Sequence, residues 1–75
     1  MISEQIQQIR KALGLTQEEL AGELGVTFVT INRWENKKGR PSKLGVRALE
    51  RLMRDRGLYI GPDGGIHKRR KGRKS

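Results

Sequence analysis

The twelve residues GVTFVTINRWEN, Gly25 to Asn36, put two aromatic and three aliphatic side chains into one short run with an Arg, two Thr and two Asn. Such a mixture can be core, surface or reading head, and the spacing decides among them. Thr27 is a helix-starting residue, because its hydroxyl can accept a backbone N–H from the first turn that no carbonyl reaches. Val26, just before it, and Ile31, at the fourth helical position, have the spacing of a hydrophobic staple. On the helix that follows, Ile31 and Trp34 share one face, whereas Phe28, Val29, Asn32 and Arg33 lie largely on the other. The first pair therefore reads as core and the second group as a surface free to meet a partner.

Upstream, the same logic repeats. Thr16 has Glu19 three residues on, a capping box, and Leu15 with Leu20 forms its staple. The helix so started runs over about residues 17–24, facing Leu20, Ala21 and Leu24 inward, and Gly25 supplies the left-handed stop that a Cβ would make costly. Before it, Ile2, Ile6, Ile9 and Leu13 recur at four, three and four residues, the stripe of a first helix ended by Gly14, with Ser3 as its candidate cap. Downstream, Pro41 and Ser42 open a fourth helix with Leu44, Ala48, Leu49, Leu52 and Met53 as its apolar stripe and Gly57 as its end. Gly45 inside that helix costs roughly 1 kcal/mol relative to Ala, which marks a close backbone approach.

Beyond Gly57 the character changes, so residues 1–57 form the domain proper. Residues 58–66 hold the turn signal Pro62-Asp63-Gly64 between two short apolar pieces, which suits either a small hairpin or one arm of an intermolecular strand pair. Residues 67–75, HKRRKGRKS, carry six basic side chains and no apolar one. With no surface to bury, this tail is expected to be disordered on its own.

Composition narrows the function classes. The chain has 75 residues, 17 Lys and Arg against 8 acids, a formal charge of +9, and no Cys. A chain this short holds one domain with a small core, and an excess of positive charge this large favours a polyanionic partner. The lack of Cys removes disulfides and thiolate metal sites. His67 stands alone, so no metal or cofactor site is expected. Enzyme activity is not expected either, because no residues combine an acid, base or nucleophile in a plausible pocket. No apolar run approaches the roughly 20 residues of a membrane span, and the N-terminus lacks a signal peptide's apolar stretch, so a cytoplasmic location without membrane contact is the expectation.

Two short capped helices separated by Gly25-Val26-Thr27 make a helix-turn-helix whose second helix is free to enter a major groove. Cap, staple, small Ala21, Gly25 and apolar Ile31 agree in register. The stretch IRKALGLTQEELAGELGVTFVTINRWEN resembles the Cro and phage-repressor type of helix-turn-helix, the Xre family. The likeness continues through RPSKLGVRALERL and covers roughly residues 6–53. The fold class expected is all-α: a compact four-helix domain of the phage-repressor type, a short irregular or β-like segment, and a basic tail.

The resemblance implies that Thr27 to Glu35 form the recognition helix, with Phe28, Val29, Asn32 and Arg33 toward base edges and Thr27 and Thr30 among the contacts. Arg can donate two bonds to guanine, Asn can pair bidentately with adenine, and an apolar side chain can pack on a thymine methyl. For Phe28 the alternative of tucking back against its own domain stays open. Gln17, at the start of the second helix, is placed by the resemblance on the DNA backbone. Asn36, Lys38, Arg40 and Lys43 follow the recognition helix, and residues 33–47 carry a net +5, which points to phosphate contacts. In the family a pair matching Arg10 and Glu35 forms a partly buried ion pair. The family's usual Glu-Asn-Gly is Glu35-Asn36-Lys37 here, and Asn36 is the residue expected to tolerate a left-handed helix end.

The function expected is sequence-specific binding of double-stranded DNA by a small bacterial or phage transcriptional regulator that occupies promoter DNA, with a homodimer as one arrangement. Two alternatives remain at this point. One is an antitoxin or adaptor that binds a protein partner through LYIGPDGGI and autoregulates its own operon. The other is an RNA or nonspecific nucleic-acid binder led by the tail.

Overall fold

A computed structural model describes residues 1–69. Four helices follow one another, α1 (Ser3–Ala12), α2 (Gln17–Leu24), α3 (Phe28–Glu35) and α4 (Lys43–Asp55), and two short strands close the described chain, β1 (Leu58–Ile60) and β2 (Ile66–Lys68). The core is aliphatic around one indole: Ile6 and Ile9 of α1, Leu20 and Ala21 of α2, Ile31 and Trp34 of α3, Leu49, Leu52 and Met53 of α4, and Leu58 of β1. Burying one such aliphatic side chain contributes about 1.5–3 kcal/mol. Ile6, Ile9, Leu20, Ile31, Leu49 and Leu58 are the ones sealed completely.

The second and third helices begin and end as their sequences dictate. Thr16 accepts from Glu19 N–H while Glu19 accepts from Thr16 N–H, and Leu15 packs on the core beside the box. Gly25 takes φ 72°, so that Val26 N–H reaches back to the Ala21 carbonyl. Thr27 then caps α3 through Thr30 N–H. The first helix differs from expectation. Its cap is Ile2 rather than Ser3, because the Gln5 side chain accepts from Ile2 N–H and starts the helix at Ser3. Ile2 itself is exposed rather than on the buried face.

The end of α3 also differs from expectation. Asn36 stays at φ −100° and Lys37 takes the left-handed conformation at φ 61°. Lys38 N–H then bonds the Arg33 carbonyl at 2.9 Å, matching the Val26 to Ala21 bond that closes α2. The geometry is the one glycine serves at α2, adopted here by a residue with a Cβ. Relieving a left-handed Cβ is worth about 1–2 kcal/mol and the freer unfolded chain takes back about 0.4–1 kcal/mol, so Lys37→Gly is expected to raise stability by roughly 0.5–1 kcal/mol. The exposed Lys37–Glu4 contact at 3.3 Å offsets little of this. Thermal melts check it: a Tm raised by a few degrees is expected, and a lowered Tm contradicts the strain.

In α4, Ser42 accepts from Gly45 N–H and fixes the phase of the helix. That phase sets Gly45 against Trp34 and Pro41, where an added Cβ would come within 3.1 Å of the indole and 3.2 Å of the proline ring. The close approach read from the sequence is thus real. Its consequence for Leu44 is the reverse of the expected stripe: with Gly45 filling the contact, Leu44 turns outward and is 76% exposed.

The segment after Gly57 is a hairpin within one chain. β1 and β2 pair antiparallel, Leu58 with Lys68, Tyr59 with His67 and Ile60 with Ile66. Gly64 N–H bonds the Gly61 carbonyl, and Asp63 accepts from Gly65 N–H, which places Pro62-Asp63-Gly64 at the tip. β2 includes His67 and Lys68, so the hairpin extends two residues past residues 58–66 into the expected tail. The hairpin packs on α4 and α1, held by Gln5 donating to the Gly64 carbonyl and Gln8 accepting from Ile66 N–H. Residues 70–75 lie outside the described residues.

Candidate nucleic-acid interface

The surface at issue is built on the crossing of α2 and α3. Ala21 is buried at that crossing, and Ile31 and Trp34 anchor the inner face of α3. With those anchored, the opposite face is committed outward: Phe28 is 46% and Val29 61% exposed, and Arg33 is exposed beside them. Phe28 and Val29 thus form an adjacent apolar pair exposed on the face that also carries Arg33.

The remaining candidates divide by what their side chains already do. The Thr27 hydroxyl caps α3 and lies 3.0 Å from that of Thr30. Asn36 donates from its side chain to the Asn32 carbonyl and closes the end of α3. Arg33 leans over the following loop, donating to the Lys38 carbonyl at 3.3 Å. Lys38, Arg40 and Lys43 are exposed, and among the described residues none of them forms an ion pair. Gln17 and Asn32 are half-buried and bonded to each other, Asn32 Nδ2 donating to Gln17 Oε1 at 3.2 Å.

Beneath this face lies a buried charge. Glu35 is buried, 5% exposed, and its carboxylate meets Arg10 in a two-pronged pair, Arg10 Nε to Oε2 at 2.7 Å and Nη2 to Oε1 at 3.0 Å. Arg10 Nη1 donates to the Leu15 carbonyl, so every guanidinium nitrogen is engaged. Gln17 Nε2 adds a third bond to Glu35 Oε1 at 3.0 Å, and Gln7 donates to the Glu35 backbone carbonyl. Burial alone would push the Glu35 carboxyl up. The bonds from Arg10 and Gln17, with the charges of Arg10 and Lys11, outweigh that and hold it below the usual carboxylate range. Glu35 is thus neutralised from within, leaving Arg33, Lys38, Arg40, Lys43 and Arg47 as net positive charge around α3.

Sequence reasoning missed the Gln17 to Glu35 and Asn32 to Gln17 bonds. Their partners stand 18 and 15 residues apart, and no local pattern announces them. Among the described residues no group of three or more His, Cys, Asp or Glu is placed to hold a metal ion, and no helix is long and apolar enough to cross a membrane.

Comparison with known proteins agrees with this geometry. The helix-turn-helix family model matches residues 6–54. Over 51 residues the chain is 37% identical to the HTH-type transcriptional activator BcrR of Enterococcus faecalis, a match that takes in 68% of this chain and spans a quarter of that protein's length. The solution structure of the DNA-binding domain of the P22 C2 repressor superposes with a TM-score of 0.65 at 29% identity, covering 72% of each chain. The family model covers well over half of the chain, and with the repressor domain's likeness in fold it makes this chain a member of the helix-turn-helix family of the Cro and phage-repressor type.

Proposed function

We propose that the chain binds double-stranded DNA in a sequence-specific manner, with the exposed face of α3 in the major groove, and that it regulates transcription by occupying promoter DNA. The observation that carries this reading is the exposed set Phe28, Val29 and Arg33, with Asn32 half-buried on the same helix, whose inner face is locked into the core. An apolar pair suits thymine methyls, and an amide and a guanidinium suit adenine and guanine edges. Lys38, Arg40 and Lys43 then meet phosphates and fix the register of the helix. Of the two named relatives one is an activator and the other a repressor, so the reading is of a regulator without a direction.

Arg33 supplies the test. Its side chain is exposed and among the described residues makes one long hydrogen bond, so Arg33→Ala leaves the fold in place. Losing a bidentate guanine contact is expected to cost about 1–3 kcal/mol of binding and to relax preference at one base pair. Titrations of the preferred duplex and its single-base variants read both quantities. Equal affinity of wild type and variant for the preferred duplex contradicts the assignment.

A further inference from the structure

The bonds joining Glu35, Gln17 and Asn32 have a fixed direction, and that direction reaches the surface. An ionised carboxylate accepts hydrogen bonds and donates none. Glu35, clamped by Arg10, can therefore be met by Gln17 only through its NH2 group, as it is at 3.0 Å. A primary amide has one nitrogen end and one oxygen end, so committing the nitrogen to Glu35 turns the Gln17 carbonyl the other way. Asn32 stands there at 3.2 Å. That carbonyl also accepts and does not donate, so Asn32 in turn must present its own NH2 inward.

From this we infer that Gln17 is a positioning residue that sets the reading polarity of Asn32: the buried charge of Glu35, relayed through one amide, decides which end of the second amide lies where. The inference rests on the proposed reading of duplex DNA by α3. Asn32 keeps one N–H and its oxygen for a partner, in one spatial order rather than two. An unrestrained Asn can rotate its amide by half a turn and offer donor and acceptor in either order, which lets it bridge an A·T pair or its reverse. A locked one matches adenine N7 and N6 in a single orientation of the pair. Flipping Asn32 while the relay stands would oppose two carbonyl oxygens and break its bond to Gln17. The relay thus converts a side chain with two equivalent settings into one that distinguishes A·T from T·A.

The experiment is site selection by the full chain from a random duplex library, followed by binding measurements on single-base variants of the selected site. Asn32→Ala identifies the base pair that Asn32 reads. Gln17→Met, which keeps the length of the side chain and leaves the Arg10–Glu35 pair whole, then removes the relay. The expected result is a preference between A·T and T·A of roughly five-fold or more in wild type, falling to within about two-fold in Gln17→Met at that pair, with preferences at the other pairs retained. Glu35→Gln, examined where circular dichroism shows it folded, should relax the same pair, and Gln17→Met carries the test if it does not fold. The inference is overturned if Gln17→Met leaves that preference intact, whether or not it lowers affinity evenly at every position, or if Asn32→Ala alters no base preference. Failure of wild type to select any duplex overturns instead the reading on which the inference rests.

Discussion

Replacing Arg10 by Met is expected to destabilise the folded chain by about 3 kcal/mol at neutral pH. The substitution leaves the Glu35 carboxylate buried with only Gln17 to answer it, and stripping a buried charge of its partner costs about 3–5 kcal/mol. Arg10 retains some exposure, with 19% of its side chain open to solvent, which places the effect at the lower end. Against a total of roughly 5–15 kcal/mol for a native domain, such a loss leaves a marginal fold.

The pH dependence carries a sign that identifies the cause. In wild type the Glu35 carboxyl sits below its ordinary value of 4.5. Its contribution is therefore complete above that value and is lost as pH falls through the lowered one. In Arg10→Met the bond from Gln17 and the charge of Lys11 remain, but with both Arg10 bonds and its charge gone burial prevails and the carboxyl rises instead. The variant should then be most stable near or below pH 4.5 and weaken toward pH 7, opposite to this group's effect in wild type. Urea melts at pH 5 and pH 7 separate the two, and a double substitution, Arg10→Met with Glu35→Leu, should recover most of the loss. A single variant that melts like wild type at both pH values would contradict the buried pair.

The second large effect is expected from charge. Deleting residues 70–75 removes four cations and takes the formal charge from +9 to +5, while β2 and everything before it remain. If all four release counterions from a duplex, the slope of log affinity against log salt becomes shallower by about 3–4 units, at about 0.9 per phosphate neutralised. The preferred sequence should not change, since phosphate contacts position a protein without reading bases. Salt titrations of full-length and shortened chains decide it. An unchanged slope removes these residues from binding, and an altered site preference gives them a reading role.

Much of this architecture was legible because it is written locally. Thr16 has Glu19 three residues on, Thr27 stands between Val26 and the stripe of α3, and Pro41-Ser42 precede the stripe of α4, so the helix starts could be read from local order. The bounds of α2 and the inward pair Ile31 and Trp34 followed from the same local signals. Pro62-Asp63-Gly64 likewise marked a turn, although whether its flanks would pair within the chain or between chains was open. What the sequence concealed depends on meetings across the fold. Leu44 fits an apolar stripe until Trp34 and Pro41 take the place beside Gly45. Ser3 looks like a cap until Gln5 bonds Ile2. Asn36 is the better left-handed residue by type, yet the backbone turns at Lys37, where Lys38 N–H can close onto Arg33. The resemblance places Gln17 on the DNA backbone but gives no sign of its attachment to both Glu35 and Asn32, which exists only once α2 and α3 have crossed.

Selection of bound sites from a random duplex library by the full chain tests the central claim most directly. The account predicts enrichment of one short motif, with discrimination at individual base pairs of about 1–3 kcal/mol that weakens at a single pair in Arg33→Ala and persists when salt is raised enough to suppress nonspecific binding. Recovery of unrelated sequences with equal affinity, or tighter binding to RNA than to any selected duplex, would contradict it.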